Sequence, residues 1–158
     1  MSIDPDHVLS PGFTLADLIR SKTAQKRGID NSPPADLLPN LRRLAEGLDR
    51  IQSLLGAPLE ISSGYRSPEL NAAIGGTLTS QHCQGLAADF VCPGFGEPMA
   101  IAQALAASDL DYDQAILEFG KWIHVSFTAS PRKRLLTIYD SNEGYLDGLV
   151  DRDGIRIA

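Results

Sequence analysis

The chain has 158 residues, with 14 basic and 20 acidic side chains and a formal net charge of -6 at pH 7. This length suits one compact domain with a substantial core, and a hydrophobic content of 43% is ordinary for a globular protein. The acidic balance excludes broad nucleic-acid binding, which requires a basic face, and the short basic run PRKR at 131–134 is typical of a solvated turn.

The sequence also shows no targeting or membrane signal. No segment approaches the roughly 18 apolar residues of a membrane-spanning helix, so we expect no membrane partner. The amino-terminal stretch MSIDPDHVLSPGF has neither a basic region nor a long apolar one and does not resemble a signal peptide, which predicts a cytoplasmic protein. We expect a monomer with one domain over residues 1–158, a core at about 11–140 and a loosely attached tail, rich in Asp and Gly, at 141–158.

The first part of the chain is predicted to be mainly helical. TLADLIRS begins with a capping-box-like T-x-x-D pattern at Thr14 and predicts a short helix, and RGIDNSPPAD is a turn-rich connection. The strongest helix signal follows, because apolar residues recur at helical spacing from Leu37 to Leu55 and Gly56 can end the helix. This apolar stripe is predicted to be core.

The remaining elements mix strands with two further helices. PLEISS predicts a strand, SPELNAAIGG a helix with Ser67 as N-cap and Pro68 in the first helical position, and GLAADFV a buried strand. EPMAIAQALAAS predicts a helix, QAILEF and WIHVSF two strands joined by a tight Gly120-Lys121 turn, and RLLTIY a further strand. Because there is no regular β-α-β alternation, we predict an α+β domain.

Two of these strands carry polar residues among apolar neighbours. Asp89 lies in GLAADF, where burying a carboxylate is costly unless it is paired or bound to a cation. His124 lies in WIHVSF on the face opposite Ile123 and Val125. If the strands are neighbours, Asp89 and His124 meet, and His82 can join them from the loop before the first strand. Such a set suits a catalytic zinc, and a structural Asp–His pair with a surface His82 is the alternative.

Two further side chains are candidates for catalysis. Glu118 ends AILEF six residues before His124, and across a hairpin its carboxylate could act as general base toward an activated water. Arg66 follows a tight Ser-Gly turn in SSGYRSPELN, where it can pair with a substrate carboxylate or a developing oxyanion. Taken alone, each is more typical of a solvated or ion-paired side chain.

Taken together, SSGYRSPELNAAIGG, TSQHCQGLAADF and EFGKWIHVSF resemble, in order, three motifs of the M15 family of zinc D-Ala-D-Ala peptidases. The likeness covers about residues 11–130 and is to the short single-domain members, often encoded by phages and prophages. The family pattern S-x-H-x(6)-D with a later W/H-x-H implies one Zn²⁺ held by His82, Asp89 and His124, with Ser80 in the first position. It also implies a fold of the hedgehog/DD-peptidase type, with a small antiparallel sheet carrying the zinc site and helices packed on it.

The resemblance implies roles for the neighbouring residues as well. Many relatives carry the catalytic acid three residues before the last histidine, where this chain has Lys121, but others carry a glutamate six residues before it, which matches Glu118. Arg66 matches the arginine of the S-G-x-R motif, which is implied to bind substrate and to stabilise the oxyanion. Ser80 and Trp122 are implied to contact substrate, and Trp122 stands where some relatives have a second histidine.

The implied activity is hydrolysis of peptide bonds next to D-amino acids in peptidoglycan stem peptides or cross-links, by a carboxypeptidase or an endopeptidase. A phage-type lysis system would bring such a cytoplasmic protein to the cell wall. Two alternatives remain open. One is an inactive module that keeps the zinc fold and only binds cell-wall peptide, and the other is a structural phage component in which catalysis is secondary.

Overall fold

The computed structural model describes residues 3–158. Over this range the chain forms eight strands and five α-helices, in the order β1 (Val8–Ser10), β2 (Phe13–Thr14), α1 (Leu15–Ile19), α2 (Lys22–Arg27), α3 (Leu38–Leu55), β3 (Glu60–Ser63), α4 (Pro68–Ala73), β4 (Ala87–Val91), α5 (Pro98–Ala106), β5 (Gln114–Glu118), β6 (Trp122–Ser126), β7 (Arg134–Ile138) and β8 (Leu146–Asp147). Two short 3₁₀ helices lie at Ala35–Leu37 and Gln81–Gln84. No helix within residues 3–158 has the length and apolar character to cross a bilayer.

The main sheet has six strands in the order β3-β4-β6-β5-β7-β8. All neighbouring pairs are antiparallel except β5 and β7, which are parallel. The predicted α+β class and the small, mainly antiparallel sheet are therefore confirmed. The parallel pair and the separate β1-β2 ribbon were not predicted.

One face of the sheet packs against the helices and forms the core. Side chains alternate along each strand, so β4, β5 and β6 direct one set of apolar residues toward α3 and α5. The fully buried members of this core include Leu41, Leu44, Leu48, Ile51, Ala88, Phe90, Ile101, Leu105, Leu117, Ile123 and Val125. Because the helices cover only this face, the opposite face is free to carry polar side chains.

Helix caps predicted from the sequence form as expected. The Asp17 carboxylate accepts a hydrogen bond from the Thr14 backbone N–H at 2.9 Å, which starts α1. The Ser67 hydroxyl accepts one from the Leu70 N–H at 3.1 Å, which starts α4. Gly56 ends α3 with a φ of 67°, a left-handed conformation that glycine adopts without strain.

The tail at 141–158 was expected to be loosely attached. Strand β8 pairs with β7, and Leu149 and Val150 are buried, at 0% and 6% exposure. The Arg152 guanidinium donates to the Phe119 carbonyl at 2.7 Å, at the turn between β5 and β6. The tail therefore packs along the edge of the sheet and contacts the β5-β6 hairpin, because two apolar residues and one arginine fix it there.

Candidate metal centre

The three predicted metal ligands lie together on the open face of the sheet. Asp89 on β4 is directly opposite His124 on β6 in the antiparallel register. Asp89 Oδ1 lies 2.9 Å from His124 Nδ1 and 3.3 Å from His82 Nε2. One potential ligand atom from each residue lies within 4.8 Å of the other two, so the cluster could hold a metal ion.

His82 reaches this cluster from a 3₁₀ turn. The Ser80 hydroxyl accepts a hydrogen bond from the His82 backbone N–H at 3.2 Å and caps the turn. Gly85 ends the turn with a φ of 71°, a left-handed conformation that glycine adopts without strain, and the chain continues toward β4. The His82 ring lies 2.7 Å from the Gly64 carbonyl through Nδ1. Because a carbonyl only accepts, Nδ1 carries the proton and Nε2 is the nitrogen that faces Asp89.

The chemistry of that nitrogen fits a bound cation. Burial lowers the pKa of His82, which favours the neutral ring with a lone pair on Nε2. A lone pair and a carboxylate oxygen 3.3 Å apart repel each other unless a proton or a metal ion lies near both. Two imidazoles and one carboxylate are also a donor set that catalytic zinc accepts. The three residues therefore fit a divalent cation such as zinc.

The charge of Asp89 is maintained by its neighbours. Burial by itself would raise the pKa of Asp89, but hydrogen bonding from His124 favours the charged form, and the pKa lies well below its usual range. Arg66 adds a more distant cation, with its Nη2 at 3.4 Å from Asp89 Oδ2. Asp89 therefore stays ionised at neutral pH and can act as a ligand.

Arg66 is held rigidly at the edge of the cluster. Its Nε donates to the Ser63 hydroxyl at 3.0 Å, its Nη1 lies 3.4 Å from Asn71 Oδ1, and its side chain is only 14% exposed. The capped start of α4 follows at once. These contacts hold the Arg66 guanidinium beside Asp89, just before α4.

Glu118 and Trp122 face each other at the closed end of the β5-β6 hairpin. Burial, and then the negative charge of Asp89, raises the pKa of Glu118. The Trp122 ring lies 5.5 Å from the Phe119 ring, and hydrogen bonding from the Trp122 side chain opposes part of the rise in the Glu118 pKa. A carboxyl group with a raised pKa is suited to accept and return a proton near neutral pH.

All these side chains surround one cavity of about 690 Å³. The sequence-predicted residues in its wall are Arg66, Ser80, His82, Asp89, Glu118, Trp122 and His124. The wall also contains residues that sequence reasoning did not assign to the site, among them Gln81, Gln114, Ile116, Arg132, Arg134, Leu136 and Tyr145. The structure therefore brings every predicted site residue together and adds a second group from the carboxyl-terminal part of the chain.

The run PRKR was predicted to be a solvated turn, and its four residues are exposed, but Arg132 also forms an ion pair that was not predicted. Its guanidinium donates two hydrogen bonds to the buried Asp113 carboxylate, at 2.9 and 2.8 Å, and Gln81 donates a third at 2.9 Å. The hydrogen bonds from Arg132 hold the pKa of Asp113 well below its usual range. Nineteen positions separate Arg132 from Asp113, so no local pattern in the sequence reveals the pair.

The fold and the cluster define an α+β domain with a candidate metal site on the open face of its sheet. The family model described as Peptidase M15 matches residues 11–126. The chain therefore belongs to the peptidase M15 family, as predicted, and is a metallopeptidase. A search of curated proteins finds none that matches this chain.

Proposed function

We propose that this metallopeptidase uses one Zn²⁺ to hydrolyse peptide bonds next to D-amino acids in peptidoglycan stem peptides or cross-links. The main support is the convergence of His82, Asp89 and His124 with Glu118 and Arg66 around one cavity. The substrate class comes from the motif likeness to the D-Ala-D-Ala peptidases of this family. The zinc assignment comes from the donor set of two imidazoles and one carboxylate.

In this proposal His82, Asp89 and His124 hold the ion. A zinc ion at such a site polarises the substrate carbonyl and makes water a better nucleophile. The Gly64 carbonyl fixes the His82 ring so that Nε2 stays directed at the site. Because the acceptor is a backbone carbonyl, no other side chain of the cavity is needed to orient His82.

Glu118 carries the proton in the proposed reaction. Its carboxylate removes a proton from the attacking water and later gives it to the departing amine, and its raised pKa suits both steps. Arg66, held by Ser63 and Asn71, stabilises the negative charge that develops on the carbonyl oxygen. When water attacks, Glu118 therefore takes up the proton while Arg66 stabilises the negative charge on the carbonyl oxygen.

Ser80 and Trp122 are proposed to contact the substrate. The Ser80 oxygen accepts the His82 N–H, but the hydroxyl proton remains available for a peptide carbonyl. Trp122 offers its aromatic ring at the cavity wall. Both residues lie in the cavity wall beside the metal ligands.

Mass spectrometry of purified peptidoglycan incubated with zinc-loaded protein tests this function. We expect new fragments that end next to D-alanine, and their ends distinguish a carboxypeptidase from an endopeptidase. Glu118→Gln should retain one zinc ion per chain and release these fragments about 10²- to 10⁴-fold more slowly, because general base catalysis is lost. Glu46→Gln, an exposed position on α3, is the matched control and should behave as the wild type.

Two results would contradict the proposal. Full activity of Glu118→Gln would remove Glu118 from the mechanism. A wild-type protein that holds one zinc ion, binds stem peptide and releases no fragment would instead be a cell-wall-binding module.

A further inference from the structure

We propose that Arg134 forms a carboxylate-binding subsite in this cavity, so that the enzyme selects peptides with a free side-chain carboxylate about two residues from the scissile bond. This inference rests on the proposed function, because it names what the same cavity recognises. Three features carry it: the position of Arg134 in the sheet, the charges in the cavity wall and the weak partner of Arg134.

The sheet register places Arg134 at a defined distance from the metal cluster. One row of residues crosses four neighbouring strands on the cavity face: Asp89, His124, Ile116 and Leu136. Arg134 lies two residues along β7 from this row, and Glu118 lies two residues from it in the opposite direction. With ~4.8 Å between strands and ~3.3 Å per residue, the Arg134 Cα is roughly 12 Å from the His124 Cα.

This distance suits a substrate group near the scissile bond. An extended peptide advances by about 3.3 Å per residue, and the long arginine side chain shortens the remaining gap. A carboxylate on the second residue from the bond that is cut is therefore within reach of the Arg134 guanidinium. Arg134 lies on the far side of the cluster from Glu118, so it can bind this group without competing for the proton-transfer position.

The charges in the wall favour an acidic ligand. The chain as a whole is acidic, yet three arginines line this cavity. Arg66 contacts Asp89 at 3.4 Å, and Arg132 is bound to Asp113 by two short hydrogen bonds. The charges of these two arginines are therefore already balanced inside the protein.

Arg134 has only a weak partner by comparison. Its Nη2 lies 3.5 Å from Asp147 Oδ1, and the Asp147 side chain is 82% exposed. An exposed ion pair at this distance contributes little, because water screens both charges. A substrate carboxylate can therefore replace Asp147, and the planar guanidinium can bind it through two parallel hydrogen bonds.

This subsite lies outside the residues 11–126 that match the family. Arg134 and Leu136 come from β7, and Tyr145 comes from the tail that β8 holds against the sheet. Burial, and then the charges of Glu118 and Asp89, raises the pKa of Tyr145, so the ring lies within electrostatic reach of the catalytic groups. One wall of the cavity thus lies within the matched residues and carries the metal ligands, and the other lies beyond them and is proposed to select the substrate.

Two synthetic pentapeptides provide the test. Both have the order L-Ala, γ-D-Glu, diaminopimelate, D-Ala, D-Ala, and in the second peptide the side-chain carboxylate of diaminopimelate is converted to the neutral amide. We expect wild-type kcat/KM to be about ten- to a hundredfold higher for the acidic peptide, as one charge-assisted contact would give. Arg134→Gln should lose most of this preference, with the larger fall in kcat/KM for the acidic peptide.

Two further variants sharpen this result. Asp147→Asn should increase the preference for the acidic peptide, because it removes the competing carboxylate from Arg134. Arg43→Gln, an exposed position on α3, should retain the wild-type preference and serves as the matched control. An Arg134→Gln protein that still prefers the acidic peptide as strongly as the wild type would overturn the subsite.

A binding measurement separates this proposal from the proposed hydrolysis. Trp122 is the single tryptophan of the chain and lines the cavity, so its fluorescence reports peptide binding to zinc-loaded Glu118→Gln without turnover. Tighter binding of the acidic peptide that disappears in Glu118→Gln/Arg134→Gln supports the subsite even if the wild type cuts neither peptide. Equal binding of the two peptides, or no binding, refutes it.

Discussion

Two aspartates of the same domain, Asp89 and Asp113, are both buried, at 7% and 2% exposure, but their surroundings differ. Asp113 accepts hydrogen bonds at 2.8–3.1 Å from the side chain and backbone N–H of Arg132 and from Gln81. Asp89 faces two imidazoles, at 2.9 and 3.3 Å, and an arginine at 3.4 Å. The first carboxylate is neutralised by short bonds within the protein, and the second is surrounded by groups that can also bind a metal.

This difference shows why a shifted pKa by itself does not identify a functional site. Both carboxyl groups have a pKa well below the usual range. For Asp113 the main cause is hydrogen bonding from Arg132, which satisfies the charge. For Asp89, burial opposes ionisation and hydrogen bonding from His124 favours it. The geometry of the neighbours, and not the direction of the shift, separates the structural carboxylate from the candidate ligand.

The largest expected effect comes from replacing the candidate ligand. Asp89→Asn should weaken zinc binding by about a hundredfold or more, because one of three donors loses its charge, and peptide hydrolysis should be lost with the metal. Metal content after dialysis and a zinc titration by calorimetry measure the change. Asp113→Asn is the matched control and should bind one zinc ion. Unchanged metal content in Asp89→Asn would refute the ligand set.

A smaller loss of zinc affinity at the Asp89 cluster should come from replacing Gly64. A Cβ atom at this position would collide with the backbone carbonyl of Leu18, so Gly64→Ala must move the chain that carries the carbonyl bound to His82. We expect zinc affinity to fall about ten- to a hundredfold, as for other losses of a contact behind a metal ligand. The same calorimetric titration measures it.

Gly96→Ala provides the control for that experiment. Gly96 lies before α5, away from the cluster, and a Cβ there would meet only ordinary contacts. This variant should bind zinc as the wild type does. If Gly64→Ala binds zinc equally well, the Gly64 carbonyl does not position His82.

The smallest expected effect concerns the structural carboxylate. Asp113→Asn should lower the free energy of unfolding by about 1–3 kcal/mol, since it weakens charged hydrogen bonds to a half-exposed arginine. It should leave zinc affinity close to that of the wild type. Urea unfolding with a chelator present measures the stability, and Asp111→Asn, an exposed neighbour, is the control. An equally large change in Asp111→Asn would mean that the Arg132 pair is not the cause.

The Asp113 effect should also depend on pH in a defined direction. The pKa of Asp113 is lower in the folded protein than the ordinary value of about 3.9, so its stabilisation is present above that pH. The stabilisation is lost as the pH falls from there toward the folded-state pKa. The difference in unfolding free energy between wild type and Asp113→Asn should therefore shrink in acid, and a constant difference would contradict the assignment.

Much of the candidate site could be predicted from the sequence. Asp89 and His124 each interrupt an apolar strand, and the alternation of side chains placed them on the face away from the core. The spacing from His82 to Asp89 and the motif likeness supplied the third ligand. The helices and their caps followed from periodicity and from Thr14, Ser67 and Gly56, because these signals act within a few residues.

The part of the cavity wall that comes from β7 and the tail could not be predicted in this way. Arg132 and Arg134 lie in a run that resembles a solvated turn, and their place in the cavity depends on β7 pairing with β5. The tail looked loose because it is rich in Asp and Gly, yet Leu149 is fully buried. Local composition predicts neither the place of these arginines in the cavity nor the burial of Leu149, because both depend on contacts with residues distant in the chain.

The sequence by itself determined most of the helices and main-sheet strands, which side chains are available as metal ligands and which family the chain belongs to. Only the tertiary structure decided that the Gly64 carbonyl orients His82, that Arg132 neutralises Asp113 and that Arg134 enters the cavity. The physical reason is that local patterns reflect interactions within a few residues. Contacts between distant residues instead depend on the order of the strands, here β5 between β6 and β7, and that order is settled only when the whole sheet packs on its helices.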